Sequence, residues 1–217
     1  MVKIWDLPTR IFHWVLVSLF VFLIYSGNWD DSFMKWHFYS GYLLSGLILF
    51  RVLWGIVGTY YARFCSFVVS PIKGLTYLKS MFKGNSTHFY GHNPAGAMMV
   101  VMLILLLMLQ VASGLVTSDE VLWDGPFYAS VSDELASLGA EIHHKVQLIL
   151  QCLVGLHILG VVAHSVLFKE KLVVSMITGN KKDLGNAKPR GSINPVALLM
   201  CVAVSVAWVY YLFGLPI

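Results

Sequence analysis

The chain has 217 residues, 58% of them hydrophobic and only 12% charged, with a mean hydropathy of +0.73. A water-soluble domain carries charge on roughly a quarter of its residues, so these values exclude a soluble globular enzyme and put the chain in a bilayer. The formal charge of +4 then describes neither membrane face by itself.

Crossing the ~30 Å hydrocarbon layer takes about 20 apolar residues in a helix. Five runs of that kind occur, at 11–27, 38–58 (interrupted by Arg51), 95–116, 146–168 and 196–215. Lys3 and Arg10 precede the first, but no small-residue cleavage site follows it and Trp29 lies just beyond, so it is expected to be retained as a span rather than removed as a signal peptide. Between the second and third runs, SPIKGLTYLKSMFKG (70–84) opens with Ser then Pro. It spaces Ile72, Leu75, Leu78 and Phe82 at helical period and puts Lys73, Lys79 and Lys83 elsewhere, which predicts a short helix lying on the membrane surface. Before the fourth run, Ser132 followed by Asp133 and Glu134 predicts a capped short helix leading into the span. With no internal repeat, low-complexity segment or separate soluble region, the expectation is an all-α integral membrane protein of one domain, 1–217, with a core over 1–182 and an extra transmembrane helix over 195–215.

Charge sets the orientation. Lys3, Arg10, Arg63, Lys73, Lys79, Lys83, Lys169, Lys171, Lys181, Lys182, Lys188 and Arg190 fall in the N-terminal segment and in 59–94 and 169–195. The segments 28–37 and 117–145 hold only Lys35 and Lys145 as cations, against Asp30, Asp31, Asp119, Glu120, Asp124, Asp133, Glu134 and Glu141. An excess of lysine and arginine marks the cytoplasmic side, so the N-terminus is expected inside and the C-terminus outside a bacterial cytoplasmic (inner) membrane. The basic face suits anionic membrane lipid, and the acidic face suits a basic soluble partner. Cys65, Cys152 and Cys201 show no metal-type spacing, no disulfide is expected, and no C-x-x-C-H motif for covalent haem is present.

Ionisable residues inside a membrane are costly and point to function, and the stretch 141–164 that leads into and through most of the fourth run, EIHHKVQLILQCLVGLHILGVVAH, carries His143, His144, His157 and His164. At 100° and ~1.5 Å per residue, His143 and His157 lie within about 40° of one face and ~21 Å apart along the axis, whereas His144 points well over 100° away from His157. With the topology above, His13 opens the first span level with His157, and His37 opens the second level with His143. Two pairs of imidazoles from facing helices are what two six-coordinate haem irons require, whereas zinc wants three or four ligands at one depth. Gly41, Gly46, Gly55, Gly155 and Gly160 are candidates to let a flat macrocycle approach the backbone. Arg51 follows His37 on the same helix at the depth of the inner pair. Either it snorkels to the cytoplasmic headgroups, or, facing the bundle interior, it needs an anion where that stretch offers no carboxylate side chain, and a propionate of the inner haem would serve.

WDLPTRIFHW, FRVLWGIVGTYYARF, GHNPAGAMM and GLH followed by KEKLVVSMITG resemble the bacterial cytochrome b561 and nickel-iron hydrogenase cytochrome b family, over roughly residues 3 to 182. The resemblance implies a four-helix transmembrane bundle holding two non-covalent b-type haems that pass electrons between a quinone pool and a partner protein, with His13, His37, His143 and His157 as ligands. The His143–His144 doublet and the fifth span depart from the family pattern. Three functions are open: a relay between quinone and a periplasmic c-type cytochrome or similar redox protein; a membrane subunit of a hydrogenase or dehydrogenase complex; and a self-contained oxidoreductase acting on a small oxidant or reductant such as superoxide. No catalytic base, nucleophile or nucleotide loop is visible, and no nucleic-acid partner is expected. His164 and His92 are expected near the cytoplasmic interface, as solvating groups or at a propionate or quinone pocket; His88 is given no role.

Overall fold

Helix α1 (Leu7–Asn28) starts ahead of the apolar run because Asp6 caps it, accepting the Thr9 N–H at 2.8 Å, while Pro8 occupies the first turn where its missing donor costs nothing. The computed structural model describes residues 1–28, 31–82, 88–119, 122–183, 185 and 187–215. Trp29, Asp30, Lys83, Gly84 and Glu120, used above, lie outside the described residues. Helix α2 (Met34–Val57) follows, then the single turn α3 (Phe64–Phe67) and α4 (Pro71–Phe82), which falls within the stretch 70–84 expected to form a short helix. Ile72 and Leu75 of α4 are exposed, and Tyr77 is buried. α5 (Pro94–Gly114) is opened by Asn93, which accepts the Gly96 N–H at 2.7 Å. After α6 (Asp133–Leu167) and α7 (Leu172–Thr178), α8 (Pro195–Phe213) repeats the Asn–Pro start, Asn194 accepting the Val196 N–H at 3.0 Å. Among the described residues, five helices are long and apolar enough to cross a membrane: α1, α2, α5, α6 and α8. The end holding the N-terminus, α4 and α7 is called the basic end, and the opposite one the acidic end.

Helix α6 corrects one expectation. Ser132 does cap, accepting the Leu135 N–H at 3.3 Å, but the short helix it opens and the fourth span form one continuous helix of 35 residues. No proline interrupts residues 133–167, and Gly139 lets the helix press against α5, since a Cβ there would come within 2.7 Å of Val116 Cγ2. At ~1.5 Å per residue such a helix is about 52 Å long, so it extends well beyond the ~30 Å hydrocarbon layer.

Lipid tails are as apolar as leucine, so helices associate in a membrane through close packing at small residues and through interhelical hydrogen bonds of roughly 1 kcal/mol. Phe12 of α1, Leu44 and Ile48 of α2, Leu107 of α5 and Val146 and Leu150 of α6 form the four-helix core. Helix α8 lies outside it against α2, where Trp208 Nε1 donates to Ser45 Oγ at 2.9 Å. A Cβ at Gly46 would sit 2.3 Å from Val209 Cγ2, and one at Gly55 would sit 2.1 Å from Phe64 Cε2. These two glycines therefore serve protein packing, not a macrocycle. Gly41, Gly155 and Gly160 face open space, with no atom within 4 Å of a Cβ placed there.

At the basic end the chain's beginning is clamped to the segment after α6. β1 (Val2–Lys3) pairs antiparallel with β2 (Asn180–Lys181); the Ile4 and Trp5 N–H groups both donate to Gly179 O, at 2.8 and 3.1 Å, and Arg10 Nη1 donates to Ile177 O. Gly179 is left-handed (φ 82°), and a Cβ there would meet Trp5 O at 2.7 Å, so only glycine fits. Asp6, 1% exposed, accepts further hydrogen bonds from Trp54 Nε1 (3.0 Å) and Thr59 Oγ1 (2.6 Å), joining the N-terminus to the end of α2. Each buried donor left without it would cost about 1–3 kcal/mol.

Candidate functional site

At the acidic end, His37 from the start of α2 and His143 from α6 approach with ring centroids 6.3 Å apart and planes at 77°. Two metal–imidazole bonds of about 2 Å, plus about 1 Å from each coordinating nitrogen to its ring centre, add to roughly 6 Å. The spacing therefore suits one metal atom held between the two rings. His37 Nδ1 is 3.1 Å from Ser26 Oγ, while His143 Nδ1 lies 3.0 Å from Gln110 O and 3.4 Å from Ser113 Oγ. Engaging Nδ1 in this way fixes the ring and leaves Nε2 to ligate, the arrangement that surrounds metal-bound imidazoles generally.

The two seats are near copies. Ser26–Gly27 of α1 holds His37, and Ser113–Gly114 of α5 holds His143. A Cβ on either glycine would lie 2.8 Å from its histidine's Cε1, 3.0 Å from Nδ1 and 3.7 Å from Nε2. Sequence reasoning passed over these four residues, although the repeated Ser-Gly at the acidic ends of two spans was the available signal. Gly41, open above its Cα, lines the same cavity with Phe20, Leu44, Leu107 and Leu150. His144 is exposed, with its ring 6.5 Å from that of His143 and turned 82°, and it too lines this cavity.

Toward the basic end, His13 of α1 and His157 of α6 lie within electrostatic reach of one another, and His13 Nδ1 is buried without a hydrogen-bond partner. Among the described residues no group of three or more His, Cys, Asp or Glu side chains converges as a metal site, so the histidines come as pairs. Arg51 is 3% exposed, with its guanidinium 4.7 Å from the Phe64 ring and 5.9 Å from that of Phe12, and one Nη1 has no partner. The expectation that no carboxylate is near needs correcting, because Asp6 lies within electrostatic range of Arg51. Its three hydrogen bonds to Thr9, Trp54 and Thr59 already occupy it, however, and Arg51 makes no ion pair with it.

Paired imidazoles, apolar walls and glycine-lined space make a site for a flat metallo-macrocycle, and comparison with known proteins bears on which one. A family model described as prokaryotic cytochrome b561 matches residues 4–179. The chain belongs to that family. No match was found among curated proteins or among solved structures. As a prokaryotic cytochrome b561, the chain is a multi-pass membrane cytochrome that binds haem b and acts in electron transfer. The family match ends at Gly179, the residue that clamps the N-terminus, and α8 lies beyond it.

Proposed function

We propose that this cytochrome carries two non-covalent haems and relays electrons across the bacterial cytoplasmic membrane, between a quinone pool and a periplasmic redox partner such as a c-type cytochrome. His37 and His143 would hold the acidic-end haem, and His13 and His157 the basic-end haem. The N-terminus would face the cytoplasm and the C-terminus the periplasm. The observation that carries the reading is the twin seating of His37 and His143 at 6.3 Å. When bound, haem supplies a one-electron couple that changes charge without changing its ligands. The protein's part is to hold Nε2 of His37 and His143 in place through Nδ1, to exclude water with the leucine and phenylalanine walls, and to set the local field.

Arg51 would meet a propionate of the basic-end haem. A positive charge beside a redox centre favours the form with one more electron. Arg51→Gln should therefore lower the potential of the basic-end component in a redox titration and leave the acidic-end one nearly unchanged. An equal shift of both components, or none, would return Arg51 to a packing role between Phe12 and Phe64.

The acidic end would recruit a basic partner. Asp124, Asp133 and Glu134 are exposed there. Asp119 is committed to its loop, accepting the Leu122 and Trp123 N–H groups at 2.8 Å each, so its replacement would disturb the turn as well as the charge. Attraction between exposed charges is screened over ~8 Å at physiological salt and steers association by tenfold or more. Electron transfer to a basic c-type cytochrome should slow as ionic strength rises. The triple replacement of Asp124, Asp133 and Glu134 by their amides should slow it roughly tenfold at low salt and little at high salt. Rates indifferent to salt would count against a basic soluble partner at this face.

A further inference from the structure

Four histidines remain outside the two pairs: His144 at the acidic end, and three at the basic end, of which His88 bonds and His164 lies within electrostatic reach of one carboxylate, Glu170. His88, at the surface of the basic end, has Nδ1 2.8 Å from Glu170 Oε1. Glu170 follows α6, and its backbone N–H donates to His164 O at 3.3 Å; Lys181 Nζ, 3.9 Å from Glu170 Oε2, donates to Phe89 O at 3.0 Å and holds the 88–93 segment against it. His164, buried at the end of α6, has Nε2 3.4 Å from Asn93 Nδ2, and its Nδ1 is buried with no partner. Next in the chain, His92 lies between Trp5 (ring centroids 4.9 Å) and Phe67 (4.5 Å), and its Nδ1 is likewise enclosed without a partner.

His92 is the point where this series meets the redox end. The charged and titratable groups acting on it come from four elements: Arg51 of α2, Lys181 of β2, His157 of α6 and His13 of α1. Burial first, and then those groups, push its pKa down to about 3. Its imidazole is thus neutral near neutrality, and with an Nδ1 that no hydrogen bond engages it takes a second proton only when negative charge is added beside it.

We propose that His88, Glu170, His164 and His92 form a proton path between the cytoplasmic surface and the basic redox end, with His92 Nδ1 as the terminal acceptor. The proposal rests on the reading that His13 and His157 bind a haem. Each electron accepted at that end, from a quinol or another reduced partner, is matched by one proton that enters from water at His88, passes the Glu170 carboxylate and His164, and forms an N–H bond at His92 Nδ1. Loss of the electron returns that proton along the same residues or yields it to a quinone, which takes one proton for each electron in becoming a quinol.

The test is redox titration of the purified full-length protein over a range of pH, with stopped-flow reduction by a one-electron viologen and a pH-indicator dye in solution. In the unaltered protein the basic-end component should become harder to reduce as pH rises, by up to about tenfold in the reduction equilibrium per pH unit. His92→Gln should abolish that dependence and the dye signal while both haems are retained. Glu170→Gln should keep the dependence, because the acceptor is intact, but slow proton uptake by roughly tenfold or more. A basic-end component with a pH-independent potential, or Glu170→Gln with unchanged uptake, overturns the path and leaves the haem reading standing. Absence of a basic-end component defeats that reading and the path with it.

Discussion

Replacing His37 or His143 with alanine should remove one haem per chain, and the haem that survives should be the one lost when His13 or His157 is replaced. The wild type should yield two haems per chain on extraction into acidified organic solvent, since no cysteine motif attaches them covalently. Each replacement would leave one imidazole of the pair without its counterpart, and the loss would originate there. The acidic-end pair makes the sharper case because its geometry is defined on both sides: the rings are 6.3 Å apart, with each Nδ1 already engaged. His144→Gln should keep both haems, because His144 is exposed and its ring is turned 82° from that of His143. A wild-type stoichiometry of one, loss of both haems from a single acidic-end replacement, or loss of a haem from His144→Gln would each defeat the assignment.

Gly114→Ala and Gly27→Ala are expected to act almost as strongly, without touching a ligand. The added methyl would stand 2.8 Å from Cε1 of His143 or His37, a distance at which something must move. Elsewhere a flexible side chain would swing aside cheaply. Here the ring is tied through Nδ1 on one side and would be directed at the metal through Nε2 on the other, so moving it would break one attachment or both. Disturbing such supporting contacts typically costs 10–100-fold in metal affinity. Titrating haem into the apoprotein should show the acidic-end site weakened by about that factor, with the basic-end site as an internal control. Because the seats are near copies, the two variants should have similar effects. Unchanged affinity in both would mean that the glycines matter only for helix packing.

Much of this architecture could be read from the residues. Hydropathy located both ends of four of the spans and the later end of α6 to within a few residues, because a lipid-exposed helix has to be apolar along a fixed length, and the helical period put His143 and His144 on different faces. Where reading stopped short, tertiary contact was deciding. Asp6 lies outside any apolar run, and its partners Trp54 and Thr59 are far along the chain, so neither the early start of α1 nor a carboxylate near Arg51 was visible. Gly46 and Gly55 look like Gly41 in the sequence, yet they face α8 and Phe64, and that difference exists only once the helices are packed. The seats at Ser26–Gly27 and Ser113–Gly114 are two residues long, too short to stand out as a repeat. The continuity of α6 was obscured because its first turns are polar.

Both histidine pairs draw their second member from α6, and that has a consequence for biosynthesis. His13 and His37 leave the ribosome early, but neither has a counterpart until His143 and His157 follow. At synthesis rates of about 5–20 residues per second, the stretch from His13 to His143 takes on the order of ten seconds. During that interval α1 and α2 are in the membrane with unmatched imidazoles, and a haem arriving then would find only half of either site. Cofactor capture would thereby be deferred until α6 has been inserted. The clamp between the N-terminus and Gly179 closes later still, after α7 emerges, so the basic end is sealed only once all four histidines exist.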